Sequence, residues 1–318
     1  AVVVASLSSA VLHAEPALSF DDGAALFMLD KRADAALLDT LLVQKEACAR
    51  TTTASPDRCR LRGLIAASYA VDVAAQTMAL SLFDATGSVA GLLPEQDMDG
   101  AYRGQLHLVP VLPVAAHRRH LQLASAALLD LDRFFARLGI TSSSTGTTGF
   151  RWRPLGLRFF ESVKRRTPSA FAIGWTVSYN VKGSLFTTPQ RVRETFFHEV
   201  FHLNDQARRN WSRTALAVVY RRIVAACGTK TTCLTPYAPD AIKVVGGTYY
   251  AFMPDNGVTE YAADVAKRWY VEHHALLEGR AVAKPFKCGT PENATAWQLV
   301  VDEFFGGVDR VPPCRADR

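Results

Sequence analysis

Residues 198–202 read His198-Glu199-Val200-Phe201-His202. Two imidazoles four positions apart on a helix share a face and can bind one metal ion. The glutamate between them projects beside the pair, where it can hold and deprotonate a metal-bound water. With 8 histidines in 318 residues, a shuffled chain would produce this HExxH spacing in roughly one case in 150. The spacing therefore nominates a chemistry, and the residues around it have to carry it.

A catalytic zinc site needs three protein ligands and one open position. Asp205, Glu260, His273 and His274 are the candidates for the third. Continuation of the helix would turn Asp205 off the histidine face, so it reads as a surface acid or one outside the ligand shell. His273 and His274 read as surface residues at a helix end. Glu260 is preferred. It sits in an amphipathic stretch from Val258 to Tyr270, with Thr259 as its expected cap, and Asp264 lies four residues on, on the same face. An imidazole that binds metal through one nitrogen needs an acceptor for its other N–H, and a carboxylate is the common answer. Asp264 fits that role for His198.

The helix that carries the histidines has its own start signal, Thr188 as N-cap and Pro189 at the first helical position. Before it, Gln105 to Val111 reads as a strand ending in proline. Ala115 to Leu138 reads as a long amphipathic helix closed by Gly139. Leu155 to Phe160 and Phe171 to Asn180 read as two further strands, the second rich in β-branched and aromatic residues. Ser142 to Gly149 is a polar loop with no evident reason for order. Helical patterning also runs through residues 15–100, clearest at Ala24–Leu42 and Leu61–Phe83, and Asp97-Met98-Asp99-Gly100 breaks it. Trp175 and Tyr179 read as strand packing, and His117 and His120 as solvated.

Strand, helix, strand, strand and metal-binding helix is the order expected of the N-terminal half of a zincin peptidase. The Glu260–Asp264 pair on a second helix resembles the gluzincins, and the Glu260-Tyr261-Ala262-Ala263-Asp264 run, with Tyr249-Tyr250-Ala251 upstream, looks like the lethal-factor-like zincins. The resemblance covers residues 170–280. It implies an α+β, zincin-like fold: a small mixed sheet, an active-site helix and a mainly helical remainder. It also implies Zn2+ held by His198, His202 and Glu260, Glu199 as the proton carrier, and Tyr250 first or Tyr249 second as oxyanion donor. In that architecture the strand just before the active helix forms the sheet edge, where a peptide can add as another strand. The interval between His202 and Glu260 is wider than in thermolysin-like enzymes, and Leu203-Asn204-Asp205 lacks the metzincin glycine turn and third histidine.

The expected organisation is an apolar element or secretory-signal remnant at 1–14, a mainly helical region at 15–100, and a catalytic domain at 101–318. Six cysteines fall into three sequence-local pairs, Cys48 with Cys59, Cys227 with Cys233 and Cys288 with Cys314, and none has CxxC spacing. Disulfides in a secreted, extracellular or periplasmic protein follow from this. The net charge of +6 is spread out. The runs Lys164-Arg165-Arg166 and Arg221-Arg222 are too short for nucleic-acid binding and read as solvated. No stretch is long and apolar enough to span a membrane. Asn210-Trp211-Ser212 and Asn293-Ala294-Thr295 match glycosylation sequons.

Together these readings point to hydrolysis of a protein or peptide substrate. A non-catalytic zincin-fold binding or toxin-accessory protein, and a zinc amidase acting on cell-wall peptides, remain the other two readings.

Overall fold

A computed structural model describes residues 18–28, 45–49, 55–100, 104–244, 246–254 and 257–314. The expectations for residues 1–14, and for most of Ala24–Leu42, lie outside the described residues.

Helix α1 (Phe20–Ala25) is followed by α2 (Pro56–Ser68) and α3 (Val73–Thr86). The single helical stretch expected from Leu61 to Phe83 is divided, because the chain turns at Tyr69 and restarts at Asp72. The Asp72 carboxylate caps α3 by accepting from the Ala75 N–H at 3.1 Å. It also accepts from the Ala115 N–H at 2.7 Å and the Arg118 guanidinium at 2.8 Å. One carboxylate thus ties the start of α3 to the start of α4 (Arg118–Leu138), which ends at the left-handed Gly139 as expected.

The described residues form one six-stranded mixed sheet. β1 (Val89–Leu92) is buried throughout, and β2 (Gln96–Asp99) is mostly exposed. β3 (Gln105–Pro110) pairs antiparallel with β2. The central strand β4 (Gly156–Ser162) is parallel to β1 along its first half and antiparallel to β3 at its end. Its other side carries β6 (Thr176–Asn180) in parallel, and β5 (Ala170–Ile173) closes that side, antiparallel to β6.

Two expectations change here. The residues Asp97–Asp99 pair in β2 instead of breaking the chain. The strand expected from Phe171 to Asn180 is a hairpin, turned at Gly174 (φ 58°) and Trp175 (φ 56°). Two consecutive positive φ values form the tight turn whose twist matches paired strands. The edge strand is consequently β5, and β6, the strand just before the helix that carries His198 and His202, lies inside the sheet. The Ser142–Gly149 loop is also built: the Ser143 hydroxyl accepts from the Gly146 N–H at 3.0 Å, and the Ser143 N–H donates to the Phe150 carbonyl at 2.9 Å.

After the sheet come α5 (Pro189–Ala207), short helices α6 (Ser212–Ala215), α7 (Ala217–Cys227) and α8 (Thr231–Leu234), then α9 (Gly257–Leu277) and α10 (Pro291–Phe305). An aromatic column joins them. The Phe197 ring of α5 stacks on Tyr270 of α9 at 4.5 Å, and Trp269 of α9 stacks on Phe305 of α10 at 3.7 Å. Phe135 of α4 stacks on Trp152 at 4.2 Å. Disulfides join Cys48 to Cys59, Cys227 to Cys233 and Cys288 to Cys314. Among the described residues no helix is long and apolar enough to cross a membrane.

Candidate metal centre

α5 starts where Thr188 accepts from the Arg191 N–H at 3.2 Å, with Pro189 beside it. Phe196, Phe197, Val200 and Phe201 fill the core, which fixes the rotation of the helix and leaves His198 and His202 facing α9. Phe197 is bound to Tyr270 through ring stacking, so the two helices that carry the polar cluster are held together by apolar contact beside it. α9 begins at Gly257. Thr259 is therefore inside the helix, not its cap, and Glu260 lies in the first turn.

The cluster is tight. His198 Nε2 lies 3.0 Å from His202 Nε2 and 3.1 Å from Glu260 Oε2, and His202 Nε2 lies 3.4 Å from the same Glu260 oxygen. Ligands about 2.0–2.1 Å from a tetrahedral zinc stand about 3.3 Å from one another. All three separations fall close to that edge length, so these residues fit such an ion, and they form the group among the described residues with metal-ligand spacing. His198 Nδ1 faces Asp264 Oδ1 at 3.1 Å. A carboxylate only accepts there, so Nδ1 carries the proton and Nε2 is the nitrogen left to bind.

Charge explains the rest of the arrangement. Burial opposes a charged His198, but the hydrogen bonds and charges of Asp264 and Glu260 outweigh it and hold its proton up to about 10. Burial pushes Glu260 up in turn; the charge of His202 and the hydrogen bonds from both histidines reverse this and hold its carboxyl far below the usual range. Both shifts have one origin: the buried carboxylates and imidazoles stabilise one another's charged forms. Glu199 is different. Its burial is the largest influence and raises its carboxyl above the ordinary value, against the pull of His198 and His202.

A cleft of 380 Å³ opens beside the cluster, with His198, Glu199 and Asp264 on its wall. Tyr250 lines it, and Tyr249 does not. The Tyr249 ring is buried, with its hydroxyl 3.0 Å from the Thr235 hydroxyl, so Tyr249 is occupied in packing. Ser169 and Ala170, at the start of the edge strand β5, form part of another wall.

Several sequence candidates are elsewhere. Asp205 is buried and accepts from the N–H and hydroxyl of Ser212, at 2.9 and 2.6 Å, where it ties α5 to α6. His273 is fully buried, not at the surface: Nδ1 donates to the Trp269 carbonyl and Nε2 accepts from the Arg310 N–H, both at 2.9 Å. His274 lies 3.1 Å from Asp130 and is also partly enclosed. His120, expected in solvent, is half-buried against the Tyr179 hydroxyl at 3.1 Å. Tyr179 does pack in the core, on Phe186. Trp175 sits in the hairpin turn under the Arg151 guanidinium at 4.1 Å. Asn293 is buried and its amide donates to the carbonyls of Pro236 and Phe286, which closes that sequon to modification in the folded chain. The basic runs at 164–166 and 221–222 are exposed.

Two charged residues at the site were not anticipated. The Lys267 ammonium, buried, donates to Asp264 Oδ1 at 2.7 Å and to Asp240 Oδ2 at 2.6 Å. Lys267 follows Asp264 by one helical turn, so its presence on the Glu260 face was readable. Asp240 carries no local signal, since only the path of the chain brings it there.

The chain matches no family model, no curated protein and no solved structure.

Proposed function

We propose that this protein is a secreted zinc-dependent peptidase of the gluzincin kind, with a zincin-like fold. The observation that carries the reading is the convergence of His198, His202 and Glu260 at tetrahedral-edge distances, with Asp264 behind His198. Zinc in such a set polarises a carbonyl and brings the pKa of a water towards neutrality. Glu199, buried on the cleft wall between the two histidines, takes the proton released in the attack and passes it to the leaving amine. Tyr250, on the same cleft, donates to the oxyanion as it develops.

The edge strand suits a peptide. The Asn180 N–H donates to the Ser169 carbonyl at 2.9 Å. Antiparallel pairs alternate between bonded and non-bonded, so the N–H and C=O of Ala170 point away from β6, and Ala170 also lines the cleft. An extended substrate laid antiparallel to β5 would meet these groups. The three disulfides and the lack of a membrane-crossing helix among the described residues are compatible with secretion.

The test combines metal analysis of the purified protein with digestion of an unfolded protein substrate, with and without chelator. Glu199→Gln should retain zinc and lose roughly 10²–10⁴ of the turnover. Wild-type rates in that variant would remove Glu199 from the mechanism. Zinc binding without cleavage of any peptide would leave a binding protein in place of a peptidase.

A further inference from the structure

We infer that Lys267 and Asp240 are positioning residues: they tie the His198 imidazole, through Asp264, to the loop that walls the cleft, so that one buried bridge sets both metal affinity and cleft shape. This rests on the proposed metal reading of His198, His202 and Glu260.

The bridge is continuous. The Lys267 ammonium lies 2.7 Å from Asp264 Oδ1, the same oxygen that receives the His198 Nδ1 proton at 3.1 Å. On its other side it lies 2.6 Å from Asp240 Oδ2. Asp240 uses its second oxygen to accept from the Ile242 N–H at 2.9 Å, and the Ile242 carbonyl accepts from the Tyr250 N–H at 2.9 Å. Ile242 and Tyr250 both line the cleft. Three bonded steps therefore lead from a metal-binding imidazole to the loop bearing the tyrosine.

A salt bridge that only fastened the loop to α9 would need Asp240 alone. Here the ammonium also meets the carboxylate that orients a ligand, and it balances that buried charge. With the ammonium gone, two carboxylates would face each other with no cation between them, and Asp264 would swing away from one or repel the other. The His198 ring would lose its fixed orientation, which for partners of metal-binding histidines costs about 10–100-fold in affinity.

The experiment uses the full chain, with zinc titrated against a chromogenic chelator and cobalt as a spectroscopic probe of ligand geometry. Lys267→Met should weaken zinc binding about 10–100-fold and alter the cobalt absorption, and Lys267→Arg should restore most of the affinity. Leu128→Ala, a core change on α4, serves as the control: it should lower the melting temperature without moving zinc affinity. Should Lys267→Met fail to fold, Asp240→Asn carries the test, with a several-fold loss expected. Affinity within two-fold of wild type in the folded variant, Lys267→Met or in its place Asp240→Asn, overturns the proposal while the metal site stands. Wild-type protein that binds no zinc overturns the site reading and this proposal together.

Discussion

At the scale of single residues, the site sorts its members by what they would lose. Removing Glu260 would delete a proposed ligand, whereas changing Asp264 would only alter how a proposed ligand is held. Glu260→Ala leaves two histidines, short of the three protein ligands such a site takes. Asp264→Asn keeps an acceptor of the same shape for His198 Nδ1, yet it removes a charge from the contact at 3.1 Å and from Lys267 at 2.7 Å. Zinc affinity should therefore fall by several orders of magnitude in Glu260→Ala and by about 10–100-fold in Asp264→Asn, measured by chelator competition. Equal losses would mean that Asp264 acts as a ligand and that the division of roles is wrong.

At the scale of elements, the decisive piece is the β5–β6 hairpin, because its turn makes β5 the edge. Proline tests that edge directly. The Ala170 N–H faces away from β6, so Ala170→Pro removes no bond within the sheet, and proline is tolerated at edge positions of this kind. Stability should change by less than about 1 kcal/mol, zinc affinity should stay as in wild type, and kcat/KM on an extended peptide should fall about ten-fold, the worth of one lost hydrogen bond. Unchanged kcat/KM would place the substrate elsewhere in the cleft. The same hairpin explains what a reader of the sequence misses. Helices were legible because their starts and stops are chemical: Thr188 with Pro189, and Gly139. His198 and His202 were legible from helical spacing, and Glu260 with Asp264 from the same spacing together with the resemblance to the gluzincins. β1 escaped as a short, wholly buried run without alternation, β2 because its aspartates look like a turn, and the hairpin because Gly174 sits within an otherwise continuous β-rich stretch. Asp240 could not be found at all, since its partner lies on a helix that begins well after it.

At the scale of the whole molecule, the C-terminal segment closes the fold over the far face of α9, and a histidine records that closure. Trp269 Nε1 donates to the Val308 carbonyl at 3.0 Å, Lys287 and Trp297 both donate to Asp309, and the Cys288–Cys314 disulfide fastens the end. His273 lies beneath this lid with both ring nitrogens engaged in its neutral form. Burial is the main reason that its pKa is lowered, to about 4. In the unfolded chain it titrates near 6.5. As pH falls from about 6.5 towards 4, the unfolded chain takes up a proton that the folded chain refuses, so stability falls on acidification, by up to about 1.4 kcal/mol per pH unit from this group. His120, lowered in the same sense by burial, adds to the trend. In metal-free wild type the proton held by His198 acts in the opposite sense over the same range, so the contribution of His273 is read as the difference in urea midpoints between wild type and a variant that lacks its titration. Gln at position 273 can keep an acceptor for Arg310 and a donor for Trp269 while losing the titration and the ring contact with Trp269 at 4.4 Å. His273→Gln should be less stable at pH 7 by about 1–3 kcal/mol and lose less on moving to pH 5. Parallel pH dependence in the two proteins would mean that His273 accepts its proton without opening the lid, and that the acid sensitivity comes from other groups.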